Sequence, residues 1–308
     1  MVNRYKIIVN PTAGRGNAGR SIPAIEGLLR GHGLQFDLVR TERPWHAAEL
    51  AYDAAQQGFN VVVAAGGDGT SNEVLNGLMR AREEGVGRPA MGFLSVGRGN
   101  DLAFGMQVPP ALTDACEVLA AGHQRTVDVG RVSGGDYPQG RCFGNGVGIG
   151  FDAVVGFEAL KMKWLTGFPS YIVATMKTVF LYFHAPLVRI EHDGQTLELR
   201  SLMVSLMNGR RMGGGFLMAP EGKPDDGMLD VCVAREVSRA RIFGLVPHFM
   251  KGTQASQPEI QMIRAQRVDV TALQGALPAH ADGETLCTAG QALTIELLPA
   301  AMEIVAAE

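Results

Sequence analysis

Two acidic side chains lie in glycine-rich stretches that follow apolar runs of the chain. Asp68 lies within Gly66-Gly67-Asp68-Gly69-Thr70-Ser71-Asn72-Glu73, directly after the valine- and alanine-rich run 60–66. Glycine lets backbone amides approach a phosphate closely, and Thr70 or Ser71 is expected to cap a following helix whose N-terminus favours an anion. A carboxylate among such amides disfavours a phosphate unless a cation lies between them. Asp68 therefore predicts a nucleotide triphosphate bridged by a metal ion.

A second acidic loop has the sequence "GRGNDLAFG" and covers residues 97–105, again after an apolar run. Asn100 and Asp101 are placed to cap a helix and to face Asp68 across the edge of a sheet. Two acids on adjacent strand ends suit a divalent cation and phosphoryl transfer. We name residues 66–73 the second loop and residues 97–105 the third loop.

The first loop, "NPTAGRGNAG" at residues 10–19, carries Gly14, Gly16 and Gly19 in the spacing of a dinucleotide fingerprint. Glu42 ends the next predicted strand, where a ribose-binding acid would stand. This pattern alone favours a nicotinamide or flavin enzyme. However, Asn10 to Ala13 separate the predicted strand from the glycines, which the fingerprint places directly after it. A phosphate-binding turn and a purely structural turn both remain compatible with these glycines.

The elements that position these loops alternate between strand and helix over about the first 125 residues. This alternation predicts a parallel sheet covered on both faces, whose ligands bind at the carboxyl ends of the strands. After residue 125, period-two alternation and turn signals predict a mostly antiparallel β domain with helical stretches at 153–184 and 238–251. The predicted strands are 5–10, 36–41, 60–66 and 90–96, and the predicted helices are 18–31, 44–57 and 70–82.

Composition excludes several classes of protein. The net charge of the 308 residues is −3 and no basic run occurs, so no nucleic-acid partner is expected. The four cysteines are far apart, which favours buried thiols in a reducing compartment, and the N-terminus lacks a signal-peptide pattern. Residues 164–183 are apolar but are interrupted by Gly167, Pro169 and Lys177, so a buried or interfacial helix is expected instead of a membrane span. These features predict a cytoplasmic protein.

Taken together, "NPTAG", "GGDGTSNEVLNGL" and "GRGNDLAFG" resemble the catalytic domain of the diacylglycerol kinase and sphingosine kinase superfamily. In the second half, "NGRRMGGGFLMAPEGKPDDGMLDV" at 208–231 and "HADGE" at 280–284 resemble further motifs of that family. The resemblance implies an α/β domain of the NAD kinase and diacylglycerol kinase type at 1–125, followed by an antiparallel β-sandwich domain at 126–299. Residues 300–308 are expected to return to the first domain.

The resemblance also implies an ATP-dependent lipid kinase that uses magnesium and binds ATP between its domains. Glu284 would be the general base that accepts the proton of the lipid hydroxyl. Asp68 and Asp101 would organise the catalytic magnesium, and Asp128 would be a further acid of the site. The residues implied in ATP binding are Asn10, Thr41, Gly66, Gly67, Asp68, Gly69, Thr70, Ser71, Asn72 and Arg98.

Two positions of this chain qualify the resemblance. Arg98 stands where the family usually has threonine, and its guanidinium is expected either to contact ATP phosphates or to point into solvent. In the Asp-Asp-Gly block the family can hold a structural magnesium, here through the Asp226 side chain and the carbonyls of Lys223 and Met228. A turn without an ion is the alternative for that block.

Three other functions stay open at this stage. The first is phosphorylation of a soluble acceptor such as NAD, the second is a catalytically silent nucleotide- or lipid-binding regulator, and the third is the dinucleotide oxidoreductase already described. For a lipid kinase, Lys161, Lys163 and Trp164 before the apolar run, with Arg210 and Arg211, raise the hypothesis of peripheral docking at the inner membrane face. An ordinary core helix is the competing interpretation, and an exposed edge of the β domain could pair two copies.

Overall fold

The structure is a computed structural model that describes residues 3–97, 99–162, 168–181 and 184–307. Contacts divide the chain into a first unit, Met1–Asp128 with Pro299–Glu308, and a second unit, Val129–Leu298. The predictions made for Arg98, Lys163, Trp164 and Gly167 lie outside the described residues.

The first unit is an α/β fold with a parallel sheet, as predicted. Its strands follow the order β2-β1-β3-β4, and each adjacent pair runs parallel. The alternation that the sequence showed is confirmed, and two further helices precede the second unit. The elements are β1 (Arg4–Val9), α1 (Ala13–Gly31), β2 (Gln35–Arg40), α2 (His46–Gln56), β3 (Val61–Gly66), α3 (Asp68–Glu83), β4 (Ala90–Ser95), α4 (Asp101–Gly105) and α5 (Leu112–Ala121).

Burial explains why these strands lie inside the first unit. Every residue of β3 is buried, as are Ile7, Ile8 and Val9 of β1. Strands that are apolar on both faces cannot leave either face in water, so they occupy the centre of a sheet that is covered on both sides. The carboxyl ends of β1, β3 and β4 therefore lie at one edge of the sheet, and the first, second and third loops begin there.

The second unit is antiparallel, as predicted, and forms a β-sandwich. Strand β9 lies between β7 and β8 and also pairs with β10, while β13 pairs with β7 and with β14. The elements are β5 (Gln124–Gly134), β6 (Tyr137–Phe143), β7 (Gly146–Gly150), α6 (Phe151–Lys161), α7 (Phe168–Leu181), β8 (Leu187–His192), β9 (Gln195–Met207), β10 (Leu229–Arg235), α8 (Arg239–Lys251), a short 3-10 helix (Gln254–Ser256), β11 (Ile260–Ala265), β12 (Arg267–Gln274), β13 (Leu277–Ala281), β14 (Glu284–Gly290) and β15 (Ala292–Val305).

Two apolar clusters stabilise the second unit. One fills the sandwich and includes Phe143, Ile190 and Leu206. The other packs α6, α7 and α8 against the opposite face of β9 and β10, with Phe151 and Phe249 among its members. Alternating residues of β9 thus enter different clusters, because successive side chains of a strand point to opposite faces.

Two expectations about single segments can be compared with this fold. Within the described residues, none of the helices has both the length and the apolar character needed to cross a membrane. All four cysteines are buried and none forms a disulfide. Burial raises the pKa of the Cys116 thiol to about 11 and that of Cys232 to about 12, so neither thiol is a nucleophile near neutral pH.

Candidate active site

The second and third loops lie in direct backbone contact. The Gly97 amide donates a hydrogen bond to the Gly66 carbonyl oxygen at 2.8 Å. This bond lies directly beyond the last residue pair of β3 and β4, which is Gly66 with Ser95. A Cβ atom at Gly97 would lie only 2.4 Å from the N and Cα atoms of Gly67. Real Cβ contacts are about 1 Å longer, so glycine is required for the two loops to approach this closely.

Asp68 ties the start of α3 to the third loop. Its Oδ1 atom accepts a hydrogen bond of 3.0 Å from the Leu102 amide, and a Cβ at Gly99 would lie 2.7 Å from its Oδ2 atom. Asp101, the first residue of α4, is buried and shares a peptide bond with Leu102. The structure therefore brings the two acids that the sequence singled out to one place.

The first loop joins this arrangement through side-chain amides. Asn10 donates from Nδ2 to Thr70 Oγ1 at 3.2 Å, and Asn17 donates from Nδ2 to the Val96 carbonyl at 3.2 Å. Residues 14–16, near the start of α1, are left-handed, with φ of 59°, 59° and 81°, and they kink the chain there. Such a run can direct successive amides toward an anion. Thr41, which follows β2, donates its amide to the Val9 carbonyl at 2.9 Å.

The predicted capping of α3 by Thr70 or Ser71 is wrong. The helix begins at Asp68, and the extended residue Gly67 is its N-cap. An acid in the first turn interacts favourably with the positive helix end, so the helix starts two residues earlier than the apolar spacing indicated. Thr70 and Ser71 are buried within the helix. Asn72 is fully buried, and its side-chain oxygen accepts a hydrogen bond from Asn76 at 3.2 Å.

Asp128 is buried in the first unit beside the returning C-terminal segment. Its Oδ1 atom accepts a hydrogen bond of 2.8 Å from the Ala300 amide, and Ala300 is left-handed with φ of 50°. This contact gives Asp128 a role in holding the turn that leads into Pro299–Glu308. A role as a further acid of the site stays a prediction.

The donor set of the first unit fits a magnesium ion. Asp68 and Asp101 provide carboxylate oxygens from neighbouring strand ends, and hard oxygen donors are the ligands that Mg²⁺ prefers. The glycine-rich second and third loops lie around these acids, and their backbone amides suit phosphate groups. Within the described ranges, no cluster of three or more acidic, histidine or cysteine side chains forms a complete metal cage. A magnesium ion held by Asp68 and Asp101 would take its other ligands from water and substrate phosphates.

In the second unit, the two neighbouring acids of the "DGE" motif have different surroundings. Asp282 is buried and accepts hydrogen bonds from the amides of Gly144, Asn145 and Gly146 at 2.9, 2.9 and 3.0 Å. Glu284 starts β14, and its side chain is 46% exposed, with Oε2 lying 4.0 Å from Nη2 of Arg141. Asp282 therefore fixes the local backbone, whereas the Glu284 carboxylate is partly exposed to solvent.

The Asp-Asp-Gly block forms a turn in which both oxygens of Asp226 have partners. Oδ1 accepts the Met228 amide at 3.2 Å, and Oδ2 accepts a hydrogen bond from Nη2 of Arg264 at 2.5 Å. Gly227 is left-handed with φ of 74°, and the exposed residue Lys223 precedes the turn. A magnesium ion here stays a prediction, and it would have to displace the guanidinium of Arg264 from Asp226.

Two polar side chains of the second unit, Asp152 and His280, were not predicted from the sequence. Asp152, in the first turn of α6, accepts a hydrogen bond of 2.5 Å from Ser205 Oγ, and burial raises its pKa to about 7. The His280 side chain is buried, and burial lowers its pKa to about 4. The only signals were an acid two residues after the glycine-rich strand "GVGIG" and a histidine four residues before Glu284.

Two domain profiles of known proteins match this chain. The profile of the diacylglycerol kinase catalytic domain matches residues 4–132. The profile described as the YegS C-terminal NAD kinase beta sandwich-like domain matches residues 145–306. Together these profiles cover most of both units.

Individual relatives extend along nearly the whole chain. A protein named diacylglycerol kinase from Staphylococcus saprophyticus is 27% identical over 285 residues, which are 92% of this chain and 90% of that protein. One of the same name from Staphylococcus aureus is 29% identical over 291 residues, 92% of this chain and 87% of that protein. A solved structure of a diacylglycerol kinase from Bacillus anthracis shares the fold, with a TM-score of 0.75, 22% identity, and coverage of 99% of this chain and 97% of that one.

The two profiles and the relatives match the segments that carry the glycine loops and the "DGE" turn. The chain therefore belongs to the diacylglycerol kinase family of lipid kinases, and it is a phosphotransferase that acts on an alcohol group.

Proposed function

We propose that this chain transfers the γ-phosphoryl group of ATP to the hydroxyl group of diacylglycerol or a related lipid. The observation that carries the proposal is the joined second and third loops, in which Asp68 bonds to the Leu102 amide beside Asp101. Glycine amides beside two carboxylates suit the triphosphate of a nucleotide with its cation. The curated relatives named diacylglycerol kinase support the choice of acceptor.

The chemistry divides between charge stabilisation and proton transfer. The lipid oxygen forms a bond to the γ-phosphorus, the bond from that phosphorus to the bridging oxygen of ADP breaks, and the hydroxyl proton passes to the Glu284 carboxylate. Loop amides hold the phosphate oxygens, and Asp68 and Asp101 would hold magnesium, which neutralises phosphate charge when bound. Asp282 keeps the turn before Glu284 in place through its three amide bonds.

Exposed apolar side chains on α7 and α8 favour a lipid acceptor over a soluble one such as NAD. We name Val173, Met176, Phe180, Phe243 and Met250 the α7–α8 surface; their exposed fractions lie between 36% and 63%. The rings of Phe180 and Phe243 are 5.9 Å apart, so the two helices form one patch. Exposed apolar patches of this kind indicate a protein or membrane contact.

The charges around this surface match an anionic bilayer. The sequences of α7 and α8 contain no aspartate or glutamate, whereas they contribute Lys177, Arg239, Arg241 and Lys251. Two of these cations pair with acids of other elements, Lys177 with Glu158 and Arg241 with Glu259. Glu158 of α6 is buried between Lys161 and Lys177, and although burial opposes ionisation, hydrogen bonds from these lysines hold its pKa below the ordinary value. We expect peripheral docking on anionic lipid, in a protein of the cytoplasm.

The test of the reaction measures transfer of label from [γ-³²P]ATP with magnesium to lipids in mixed micelles. The panel contains diacylglycerol, a sphingoid base, ceramide and phosphatidylglycerol, with NAD as the soluble acceptor. Glu284→Gln should lose transfer, and the matched control Glu198→Gln, which removes an exposed carboxylate paired with Arg189, should keep it. Label in NAD would overturn the lipid assignment, and ATP binding without transfer to any acceptor would favour a regulator.

The test of docking measures sedimentation with anionic vesicles. Phe180→Asp should lower the bound fraction and raise the KM for lipid in vesicles, because it places a carboxylate in the α7–α8 surface. Leu273→Asp changes another exposed apolar residue, on β12, and should leave both values unchanged. Equal effects of the two substitutions would contradict the assignment of this surface. Pairing of two copies through an exposed sheet edge also stays a prediction, which analytical ultracentrifugation would decide.

A further inference from the structure

His280 lies in the β13 strand, directly before the turn that carries Glu284. Its backbone pairs with Thr285 of β14 on one side and with Gly148 of β7 on the other. The turn from Ala281 to Glu284 contains two left-handed residues, Asp282 with φ of 48° and Gly283 with φ of 83°. The position of the Glu284 carboxylate depends on this short segment, because two consecutive left-handed residues tolerate few alternatives.

The imidazole ring of His280 is hydrogen-bonded to the backbone of this turn. Its Nδ1 atom accepts a hydrogen bond from the Gly283 amide at 3.3 Å. A neutral imidazole that accepts at Nδ1 carries its proton on Nε2. Burial lowers the pKa of His280 to about 4, so this neutral form is present at physiological pH. The Nδ1 atom therefore accepts a hydrogen bond from the turn that carries Glu284. The Nε2–H group, on the other side of the ring, is a donor.

On its other side the ring borders the same small space as the half-buried Asp152 carboxylate. A Cβ atom at Gly148 would lie 2.6 Å from His280 Nε2 and 2.7 Å from Asp152 Oδ2, so both atoms border the space that this glycine leaves open. Asp152 is itself fixed by Ser205 Oγ and by the Ala153 amide at 2.9 Å. Any side chain larger than glycine at position 148 would displace one of the two groups.

We propose that His280 is a positioning residue for Glu284, which it holds through the hydrogen bond that its ring accepts from the Gly283 amide. This inference deepens the proposed lipid kinase function and rests on it. His280 does not touch the reacting atoms. It fixes the turn that carries the carboxylate that does.

The test compares two variants of His280, each of which places a side-chain amide atom where one of the ring nitrogens lies. In His280→Asn the amide oxygen takes the place of Nδ1, whereas in His280→Gln the amide group takes the place of Nε2. We expect His280→Gln to lower kcat by about tenfold to a hundredfold, as a misplacement of about 1 Å at a reacting group does. The KM for ATP should stay within about twofold, because the phosphate loops are untouched. His280→Asn should recover most of kcat.

A control variant separates positioning from general loosening of the hairpin. Cys287→Ala removes a buried side chain from β14, opposite Ala279, and should lower stability without changing kcat. The proposal is overturned if His280→Gln keeps the native kcat, or if His280→Asn loses as much activity as His280→Gln.

Amide hydrogen exchange at Gly283 tests the contact independently of activity. In the native chain and in His280→Asn this amide should exchange slowly, and in His280→Gln it should exchange at least about tenfold faster. If the native chain transfers phosphate to no lipid, the proposed function fails while the exchange experiment still decides the role of His280. Fast exchange at Gly283 in the native chain would overturn the positioning role even if lipid transfer is observed.

Discussion

Replacing Gly97 by alanine should separate the second and third loops. The added Cβ would lie 2.4 Å from backbone atoms of Gly67, and ordinary contacts begin near 3.4 Å, so the two loops must move apart by about 1 Å. Backbone atoms on both sides leave no flexible side chain that could yield. The Gly97–Gly66 hydrogen bond of 2.8 Å would lengthen by a similar distance.

Gly97→Ala should lower both the free energy of unfolding and the rate of phosphoryl transfer. Overpacking of this kind typically costs about 1–3 kcal/mol of the free energy of unfolding. A displacement of about 1 Å among groups that hold a reacting phosphate costs on the order of a hundredfold in rate. We therefore expect kcat/KM for ATP to fall about a hundredfold, measured by label transfer to lipid, and the urea midpoint of unfolding to fall with it.

Gly27→Ala is the matched control for this substitution. Gly27 lies in α1, and nothing lies within 4 Å of a Cβ added there. Alanine in a helix interior is more favourable than glycine by up to about 1 kcal/mol, so this variant should be unchanged or more stable and fully active. If Gly97→Ala behaves like Gly27→Ala, the close approach of the two loops is not required for function and the argument is refuted.

Three further predictions concern the second unit. Asp282→Ala should lower the free energy of unfolding by about 3–5 kcal/mol in urea, because it leaves three buried amides without their acceptor; a loss below about 1 kcal/mol would contradict this role. Asp152→Asn should raise the free energy of unfolding at pH 8 and change that free energy little at pH 4, as measured by urea unfolding at each pH. Burial raises the pKa of Asp152 from 3.8 to about 7, so the folded state binds the proton more tightly and stability is lost as pH rises between these values. Arg264→Leu should make the thermal midpoint more dependent on magnesium than in the native chain, because the guanidinium no longer competes for Asp226; Arg267→Leu is the control, and equal responses of the two variants would contradict the competition.

The sequence alone predicted the order and type of the main elements. Runs of six or seven residues rich in apolar side chains identified β1 to β4, and helical spacing of Val74, Leu75 and Leu78 identified α3, because these periods are local properties of the chain. Glycine-rich segments after these strands located the loops, since the carboxyl ends of parallel strands meet at one edge of a sheet. The change to alternation after residue 125 predicted the antiparallel unit for the same local reason.

Partners that are far apart in the sequence were decided only by the tertiary structure. Asp282 and Glu284 are equivalent acids in the motif "HADGE", yet only the fold brings the amides of residues 144–146 to Asp282. Likewise, only the antiparallel pairing of β7 with β13 places His280 opposite Gly148 and near Asp152. Local patterns specify which element a residue occupies, whereas side-chain contacts depend on how elements pack. The chemistry of each acid in this protein therefore follows from its neighbours in space, which spacing along the chain does not encode.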